Sequence, residues 1–216
     1  MTDPVPDSPP RLSVGVVGVG RAGSVLAAAL DRAGHRVVAA HAVSERSRRR
    51  AAEMLPGVPL VDVAQVFEAA DLVLLTVPDD ELPGLVEAID HEQWARPGQF
   101  VAHSSGRYGI TALAPLREVL PLALHPVMTL TGRPGDVDRL VGCPFGVTAP
   151  PQLEAVACAL VVEMGGEPMI VAEDRRSLYH AALAHSANHM ITLVAESMDL
   201  LSLAGVSEPA RMLGPL

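Results

Sequence analysis

The feature that most constrains this chain is an apolar run followed at once by a glycine-rich turn. Residues 12–17 are rich in valine, as a parallel strand buried on both faces requires. Gly18, Gly20 and Gly23 follow in the spacing GxGxxG, and residues 24–33 continue as a helix-forming segment of alanine and leucine. A strand, a tight turn and a helix N-terminus in this order form the phosphate-binding element of dinucleotide-binding folds. The alternative is a glycine-rich turn without a ligand.

Strand-like and helix-like segments alternate beyond this motif. Such alternation requires crossover connections, and it predicts an α/β fold with a doubly wound, mainly parallel Rossmann sheet. The further predicted strands are 36–43, 71–77, 100–103, 122–125, 143–149 and 168–171, and the predicted helices are 45–55, 111–119 and 152–164.

The chain divides into three segments. Residues 1–10 contain four prolines and two aspartates and predict a disordered tail, because they offer little to bury. Residues 11–172 are predicted to form the NADP-binding Rossmann domain. In the remaining segment, 173–216, residues 174–204 lack proline and repeat apolar residues at helical spacing, which predicts one helix of roughly 30 residues. We interpret this helix as the start of a helical domain.

The composition excludes several classes of function. All 16 basic residues are arginine, so Schiff-base chemistry and a phosphate-loop lysine are excluded. Cys143 and Cys158 are too few for a disulfide framework or a thiolate metal cage. A net charge of −9 argues against a nucleic-acid partner. Because there is neither a long apolar run nor a signal-peptide core, we expect a cytoplasmic protein without a membrane span.

The choice between NAD and NADP is expected to lie just after the second strand, where NAD-binding chains hold the ribose with a carboxylate. Residues 43–50 read VSERSRRR, which places arginines beside two hydroxyls at a helix start. The helix dipole disfavours this arrangement unless an anion is bound. It favours the 2′-phosphate of NADP, with Ser44, Arg46 and either Ser47 or Arg48 as ligands. Glu45 is the counter-argument for NAD, and a solvated helix face is a third interpretation.

Several motifs resemble known families. GVVGVGRAG at 15–23, VSERS at 43–47 and DLVLLTVPDDEL at 71–82 are similar to the N-terminal domain of the 6-phosphogluconate-dehydrogenase-like clan, which includes ketopantoate reductase and pyrroline-5-carboxylate reductase. HSSG at 103–106, LHPVMTLTG at 124–132, CPFGV at 143–147 and YHAALAHSANHM at 179–190 resemble a narrower group, the Rossmann-like proteins with a DUF2520 domain. The resemblance covers residues 12–216. It implies an NADP-dependent oxidoreductase, with Val77 and Pro78 over the adenosine and nicotinamide ribose.

The chain departs from the clan in two respects. Many of the clan's dehydrogenases carry a catalytic lysine four residues before an asparagine on the long helix, whereas Ala184 stands four residues before Asn188 here. The family's chains usually continue further as an all-helical domain, so the resemblance implies either a truncated chain or a reduced second domain.

Hydride transfer requires a proton donor or acceptor beside the reacting carbon, and histidine suits this role near neutral pH. His125 ends a predicted strand on the ligand side, and His180 lies on the long helix. Either is predicted to be the acid or base, with Ser104, Ser105 and Asn188 orienting the substrate.

For three other histidines the sequence gives weaker predictions of a functional role. For His103, also at a strand end, a structural and a functional role are both open. His185 and His189 are four residues apart on the predicted helix, a spacing that can bind a metal. No third ligand is evident, so no metal site is predicted.

Together these patterns predict an NADP-dependent oxidoreductase that transfers hydride to or from a small carbonyl or imine compound. The alternatives are a non-catalytic nucleotide-binding or sensor protein, and a hydride-transfer partner of a second bound cofactor. The apolar long helix predicts a homodimer. The predicted cofactor ligands are Gly18, Val19, Gly20, Arg21, Ala22, Gly23, Ser44, Arg46, Ser47, Val77 and Pro78.

Overall fold

The structure, a computed structural model, describes residues 11–215 and contains one seven-stranded sheet in the order β2-β1-β3-β4-β5-β6-β7. The predicted tail 1–10 lies outside the described residues. The strands are β1 (Ser13–Val17), β2 (Arg36–His41), β3 (Leu72–Leu75), β4 (Phe100–His103), β5 (Leu120–Pro126), β6 (Pro144–Thr148) and β7 (Glu167–Ile170). The α-helices are α1 (Arg21–Arg32), α2 (Glu45–Met54), α3 (Val63–Ala69), α4 (Leu82–His91), α5 (Gly135–Arg139), α6 (Glu154–Glu163), α7 (Arg176–Leu203) and α8 (Pro209–Leu213).

The strand order creates a crevice at the carboxyl ends of the central strands. Strands β1 to β5 are parallel, and the chain moves from β1 outward to β2 and then back across to β3. Ligands bind where the order of an open α/β sheet reverses in this way. Strand β6 runs antiparallel to β5, with Ala123 opposite Thr148, so the predicted mainly parallel Rossmann sheet is confirmed with one antiparallel pair.

Two apolar cores cover the faces of the sheet. On one face, α1 and α6 pack against the strands through residues such as Leu30, Phe145 and Leu160. On the other face, α3 and α4 contribute Phe67 and Ile89. Because helices bury both faces, the central strands are continuous apolar runs, as the LVLL sequence of β3 illustrates.

The structure corrects the predicted element list in several places. The helix predicted over 111–119 is only a 3-10 turn at Ile110–Leu113. Helices α3, α4, α5 and α8 were not predicted, although α3 and α4 carry start signals. The Asp62 carboxylate accepts the Gln65 N–H while the Gln65 amide side chain accepts the Asp62 N–H, which is a capping box, and Pro83 lies in the first turn of α4.

The described chain forms two compact units, which meet in sequence at Arg176 and Ser177. The second unit consists of α8 and nearly all of α7, which spans 28 residues without an internal proline or glycine. The long C-terminal helix was therefore predicted correctly. Within residues 11–215, no helix combines the length and apolar character needed to cross a bilayer.

Candidate active site at the carboxyl edge of the sheet

The glycine motif forms a tight turn between β1 and α1. Gly18 adopts φ +94°, a left-handed conformation that favours glycine, and the Gly20 N–H donates to the Gly18 carbonyl at 2.6 Å. The hydroxyl of Thr76, just beyond β3, donates to that carbonyl at 2.7 Å and joins the turn to the next strand. A side chain at Gly20 would meet only one atom within 4 Å, so the surface above this residue is open. The turn therefore leaves the N-terminus of α1 accessible, which is the geometry that a pyrophosphate requires.

A groove of about 600 Å³, which we call the nucleotide groove, extends from this turn to the start of α2. Its walls come from the ends of the first three strands and from the loop that leads into α4. It includes several predicted cofactor residues and several that the sequence did not suggest. The lining residues are Val17, Gly18, Val19, Gly20, His41, Val43, Ser44, Ser47, Val63, Thr76, Val77, Pro78, Asp80, Glu81, Gly84 and Leu85.

A second cavity of about 500 Å³, which we call the reaction cavity, continues from the nucleotide groove. The two share four lining residues, so they form one connected cleft across the sheet edge. The reaction cavity also holds Arg21 and Ala22, two of the predicted cofactor residues. Its lining is Gly20, Arg21, Ala22, Thr76, Val77, Pro78, Ser104, His125, Pro126, Met128, Thr129 and Leu130.

Two predicted catalytic residues meet in the reaction cavity. His125 lies near the end of β5, where it is paired with Gly146 of β6, and Ser104 directly follows β4. Both side chains are half-buried and line the same cavity as Pro78. The parallel register of β4 and β5 brings these strand ends together, as expected for the carboxyl edge of such a sheet.

Ser105 and His103 lie behind this surface and make structural hydrogen bonds. The Ser105 hydroxyl accepts the N–H groups of Arg107 and Tyr108, and it is not among the residues that line the reaction cavity. The His103 ring contacts the Gly109 carbonyl through Nε2 at 2.9 Å, and its Nδ1 accepts the Ser105 N–H. These contacts favour a structural role for His103 and give Ser105 a turn-forming function that the sequence did not reveal.

The protonation of His103 should make the stability of the fold pH-dependent. Burial is the main cause that lowers its pKa to about 4 from the ordinary 6.5, although the hydrogen bond to Gly109 acts in the opposite direction. The unfolded chain therefore binds this proton more readily than the native chain, so stability is lost as pH falls from 6.5 towards 4. We expect His103 to account for a loss of about 2 kcal/mol in unfolding free energy between about pH 7 and pH 5.

Urea unfolding of the natural chain and of His103→Gln at both pH values measures this effect. The natural chain should lose more stability than the variant on acidification. Equal losses in the two proteins would contradict the assignment of a neutral buried imidazole.

The predicted phosphate ligands separate onto two faces of α2. Ser44 caps this helix by accepting the Ser47 N–H at 3.1 Å, and both hydroxyls line the nucleotide groove. Arg48 is not among the lining residues, but its Nε donates at 3.4 Å to the carbonyl of Val43, which does line the nucleotide groove. Arg46 instead faces a different cavity, which we call the arginine cavity, lined by Arg21, Glu45, Arg46, Arg49, Arg50, Glu53, Thr131, Gly132 and Arg133.

The remaining predicted residues lie on α7 in the second unit. His180 and Asn188 both belong to this helix, and their proposed roles at the substrate stay predictions. The rings of His185 and His189 lie with centroids 4.1 Å apart. Among residues 11–215, no group of three or more His, Cys, Asp or Glu side chains is arranged to hold a metal ion.

Sequence reasoning missed several residues that line the cleft. Thr76 is a polar residue at the end of an apolar strand, and that contrast was an available signal. His41 ends β2 and contacts the Val61 carbonyl through Nδ1 at 3.0 Å. Glu81, the N-cap of α4, and Gly84, in the first turn of that helix, also line the cleft, and neither could be placed without recognising α4.

Comparison with known proteins gives a consistent picture. The Rossmann-like domain family matches residues 1–126, and the domain of unknown function DUF2520 matches residues 143–216. Glycerol-3-phosphate dehydrogenase [NAD(P)+] of Bradyrhizobium sp. (strain ORS 278) is 32% identical over 171 residues, which cover 71% of this chain and 50% of that protein. The chain thus spans about half the length of the curated relatives it matches.

Solved structures share the fold at lower identity. A NADH-preferring ketol-acid reductoisomerase from an uncultured archean superposes with a TM-score of 0.76 at 18% identity, covering 93% of this chain and 64% of that one. The 1-pyrroline-5-carboxylate reductase of Streptococcus pyogenes gives 0.70 at 15% identity, covering 95% and 76%. With its glycine turn, its strand order and these matches, the chain belongs to the Rossmann-like domain family and carries a DUF2520 domain in its C-terminal part.

Proposed function

We propose that this protein is an NADP-dependent oxidoreductase that transfers hydride to or from a small carbonyl or imine compound. The observation that carries the proposal is the connected cleft. The open glycine turn lines its nucleotide groove, and His125 and Ser104 line the adjoining reaction cavity. The similar proteins include a glycerol-3-phosphate dehydrogenase, a ketol-acid reductoisomerase and a 1-pyrroline-5-carboxylate reductase, which supports the same reaction type.

The cleft residues suit a dinucleotide. The free N–H groups in the first turn of α1 would hold the pyrophosphate above Gly20. Val77 and Pro78 border both the nucleotide groove and the reaction cavity, so they would line the passage between adenosine and nicotinamide. When bound, the nicotinamide supplies or accepts the hydride. His125 would exchange the proton with the substrate oxygen or nitrogen, and the Ser104 hydroxyl would orient that atom.

NADP is favoured over NAD by the position of the carboxylates. Glu45, the one acidic residue that the sequence offered for a ribose hydroxyl, faces the arginine cavity and pairs with Arg49 at 2.9 Å. Among the described residues, the carboxylates that line the nucleotide groove are Asp80 and Glu81, and neither comes from β2 or α2. Ser44, Ser47 and the guanidinium of Arg48 would then surround the 2′-phosphate.

A pair of arginine variants tests this choice. Arg48→Ala should weaken NADPH binding about tenfold, because one charge-assisted contact is lost, and should leave NADH binding unchanged. Arg46→Ala is the matched control, since this residue lies on the same helix but faces away from the nucleotide groove. Isothermal titration of each variant with both nucleotides gives the answer. Equal loss in both variants, or a selective loss with Arg46→Ala, would contradict the assignment.

A turnover assay tests the reaction itself. NADPH absorbance is followed while small carbonyl and imine compounds are supplied, and the active compound is then used with variants. His125→Gln should lower kcat by about a hundredfold or more, as removal of a general acid does, while NADPH binding is retained. Unchanged turnover would remove His125 from the mechanism. Binding without turnover of any compound would support a sensor, and copurification of a coloured cofactor would support a hydride-transfer partner.

We also propose that the protein is a homodimer through α7. This helix exposes Met190, Ile191, Leu193 and Val194, which form an apolar surface unusual for an isolated helix. Sedimentation velocity should give a dimer mass for the natural chain and a monomer mass for Leu193→Glu. A natural chain that sediments as a monomer at all concentrations would refute the dimer.

A further inference from the structure

The arginine cavity has a volume of about 620 Å³ and an unusual charge for this protein. Five guanidinium groups and two carboxylates line it, which gives it a positive balance in a chain whose net charge is −9. Within residues 11–215, the one ion pair among these groups joins Arg49 to Glu45, and both partners are largely exposed. Most of the positive charge is therefore not neutralised by the protein.

One wall of the cavity is a single face of α2. Arg46, Arg50 and Glu53 recur at helical spacing, with Arg49 beside them, so their side chains emerge in one direction. Arg46 lies in the first turn of α2, where the positive end of the helix dipole disfavours a cation. A bound anion would relieve this unfavourable interaction.

The opposite wall is a loop that the protein holds rigidly. The buried Asp136 carboxylate accepts the N–H groups of Thr131 and Gly132 at 2.5 and 2.8 Å, and Arg139 pairs with its other oxygen at 2.9 Å. Burial alone would raise the pKa of Asp136, but these hydrogen bonds together lower it, so the carboxylate stays charged. The loop is thereby fixed beside α2.

The two walls meet closely at Gly132. A side-chain carbon at this position would lie 2.4 Å from Nε of Arg50 and 3.0 Å from Cα of Arg21. The glycine therefore lets the loop approach α1 and α2, and the arginines surround a concave space instead of a flat helix face. This close approach distinguishes the cavity from a simple solvated run of arginines.

The arginine cavity is distinct from the nucleotide groove. The two have no lining residue in common, and Ser44 and Ser47 belong to the groove alone. The arginine cavity does share Arg21 with the reaction cavity. An anion bound among the arginines would thus lie next to the cleft without occupying the cofactor's place.

We propose that the arginine cavity is a second anion site, which binds a diphosphate or another multiply phosphorylated group separate from the dinucleotide. Phosphate suits the lining because a guanidinium donates two parallel hydrogen bonds to its oxygens, and several arginines share the charge. Five guanidinium groups against two carboxylates favour a ligand with several negative charges, such as a diphosphate ester, over a monoanion. The site does not depend on hydride transfer, so its test is independent of the proposed function.

Inorganic pyrophosphate is the probe for this site, measured by calorimetric titration of the full chain with and without saturating NADPH. The test variant is Arg50→Gln/Arg133→Gln, and the control is Arg36→Gln/Arg117→Gln, which removes the same charge from exposed positions outside the cavity. The test variant should weaken one pyrophosphate site about tenfold or more, and the control should weaken it no more than about twofold. That site should persist when NADPH is saturating.

Three outcomes would overturn the proposal. Equal loss of pyrophosphate affinity in the test and control variants would mean that the net charge of the protein, and not the arginine cavity, determines binding. Loss of the arginine-dependent site under saturating NADPH would show that the two ligands share one place. A test variant that binds NADPH more weakly but NADH normally would assign the cavity to the 2′-phosphate. Arg133→Gln alone, a change at an exposed loop residue, repeats the test if the double variant has a lowered unfolding midpoint.

Discussion

Replacing Gly23 with alanine is expected to abolish dinucleotide binding. The added carbon would lie 2.2 Å from the Thr76 hydroxyl oxygen and 2.4 Å from the Gly18 carbonyl oxygen, both closer than real contacts allow. Helix α1 would have to move away from the strands, which would displace the N–H groups that face the pyrophosphate. The overpacking should also lower the unfolding free energy by about 1–3 kcal/mol.

The matched control for this change is Gly135→Ala. Gly135 also lies in the first turn of a helix, but an added carbon there would meet no atom within 4 Å. Titration with NADPH and urea unfolding should show normal binding and stability for the control. For Gly23→Ala they should show no binding and a lowered unfolding free energy. A Gly23→Ala protein with unchanged NADPH affinity would contradict the proposed close packing of turn and strand.

Replacing Arg176 with methionine should destabilise the sheet more than any exposed change. Arg176 is 1% exposed, and its guanidinium donates to the Thr148 hydroxyl at 2.7 Å and to the carbonyls of Ala123 and Gly146 at 3.0 Å. It therefore joins β5 to the antiparallel β6. Methionine fills similar space but removes three hydrogen bonds that a buried charged group donates, at a cost of about 3 kcal/mol or more.

Arg175→Met is the control for this prediction. Arg175 is adjacent, largely exposed, and paired with the equally exposed Asp174, an ion pair that contributes little. Thermal unfolding should show a large decrease in midpoint for Arg176→Met and almost none for Arg175→Met. Similar midpoints for the two variants would mean that the guanidinium is not essential to the pairing of β5 and β6.

The glycine turn and the central strands could be predicted because their signals are local. Gly18 to Gly23 directly follow an apolar strand, and the buried runs leave little choice of secondary structure. Helices α3 and α4 were missed although Asp62 and Pro83 marked their starts, since the apolar strands on either side dominated the pattern. The helix predicted over 111–119 is reduced to the 3-10 turn at Ile110–Leu113, because Pro115 has no N–H to donate within a helix and Glu118 adopts φ +60°.

The arrangement of site residues depended on contacts that sequence spacing does not show. Ser104 and Ser105 are neighbours with similar patterns, yet one lines the reaction cavity and the other supports a turn. Arg46 lines the arginine cavity whereas Arg48 donates to the Val43 carbonyl, because two positions along a helix turn a side chain to another face. Arg176 gave no signal at all, since its acceptors lie on strands far away in the sequence.

We propose that the carboxyl edge of this sheet binds NADP. A calorimetric titration of the purified chain with NADPH and, separately, with NADH tests it most directly. We expect one NADPH per chain and an affinity for NADH at least about tenfold lower, which corresponds to about 1.4 kcal/mol. Binding of neither nucleotide would contradict the claim.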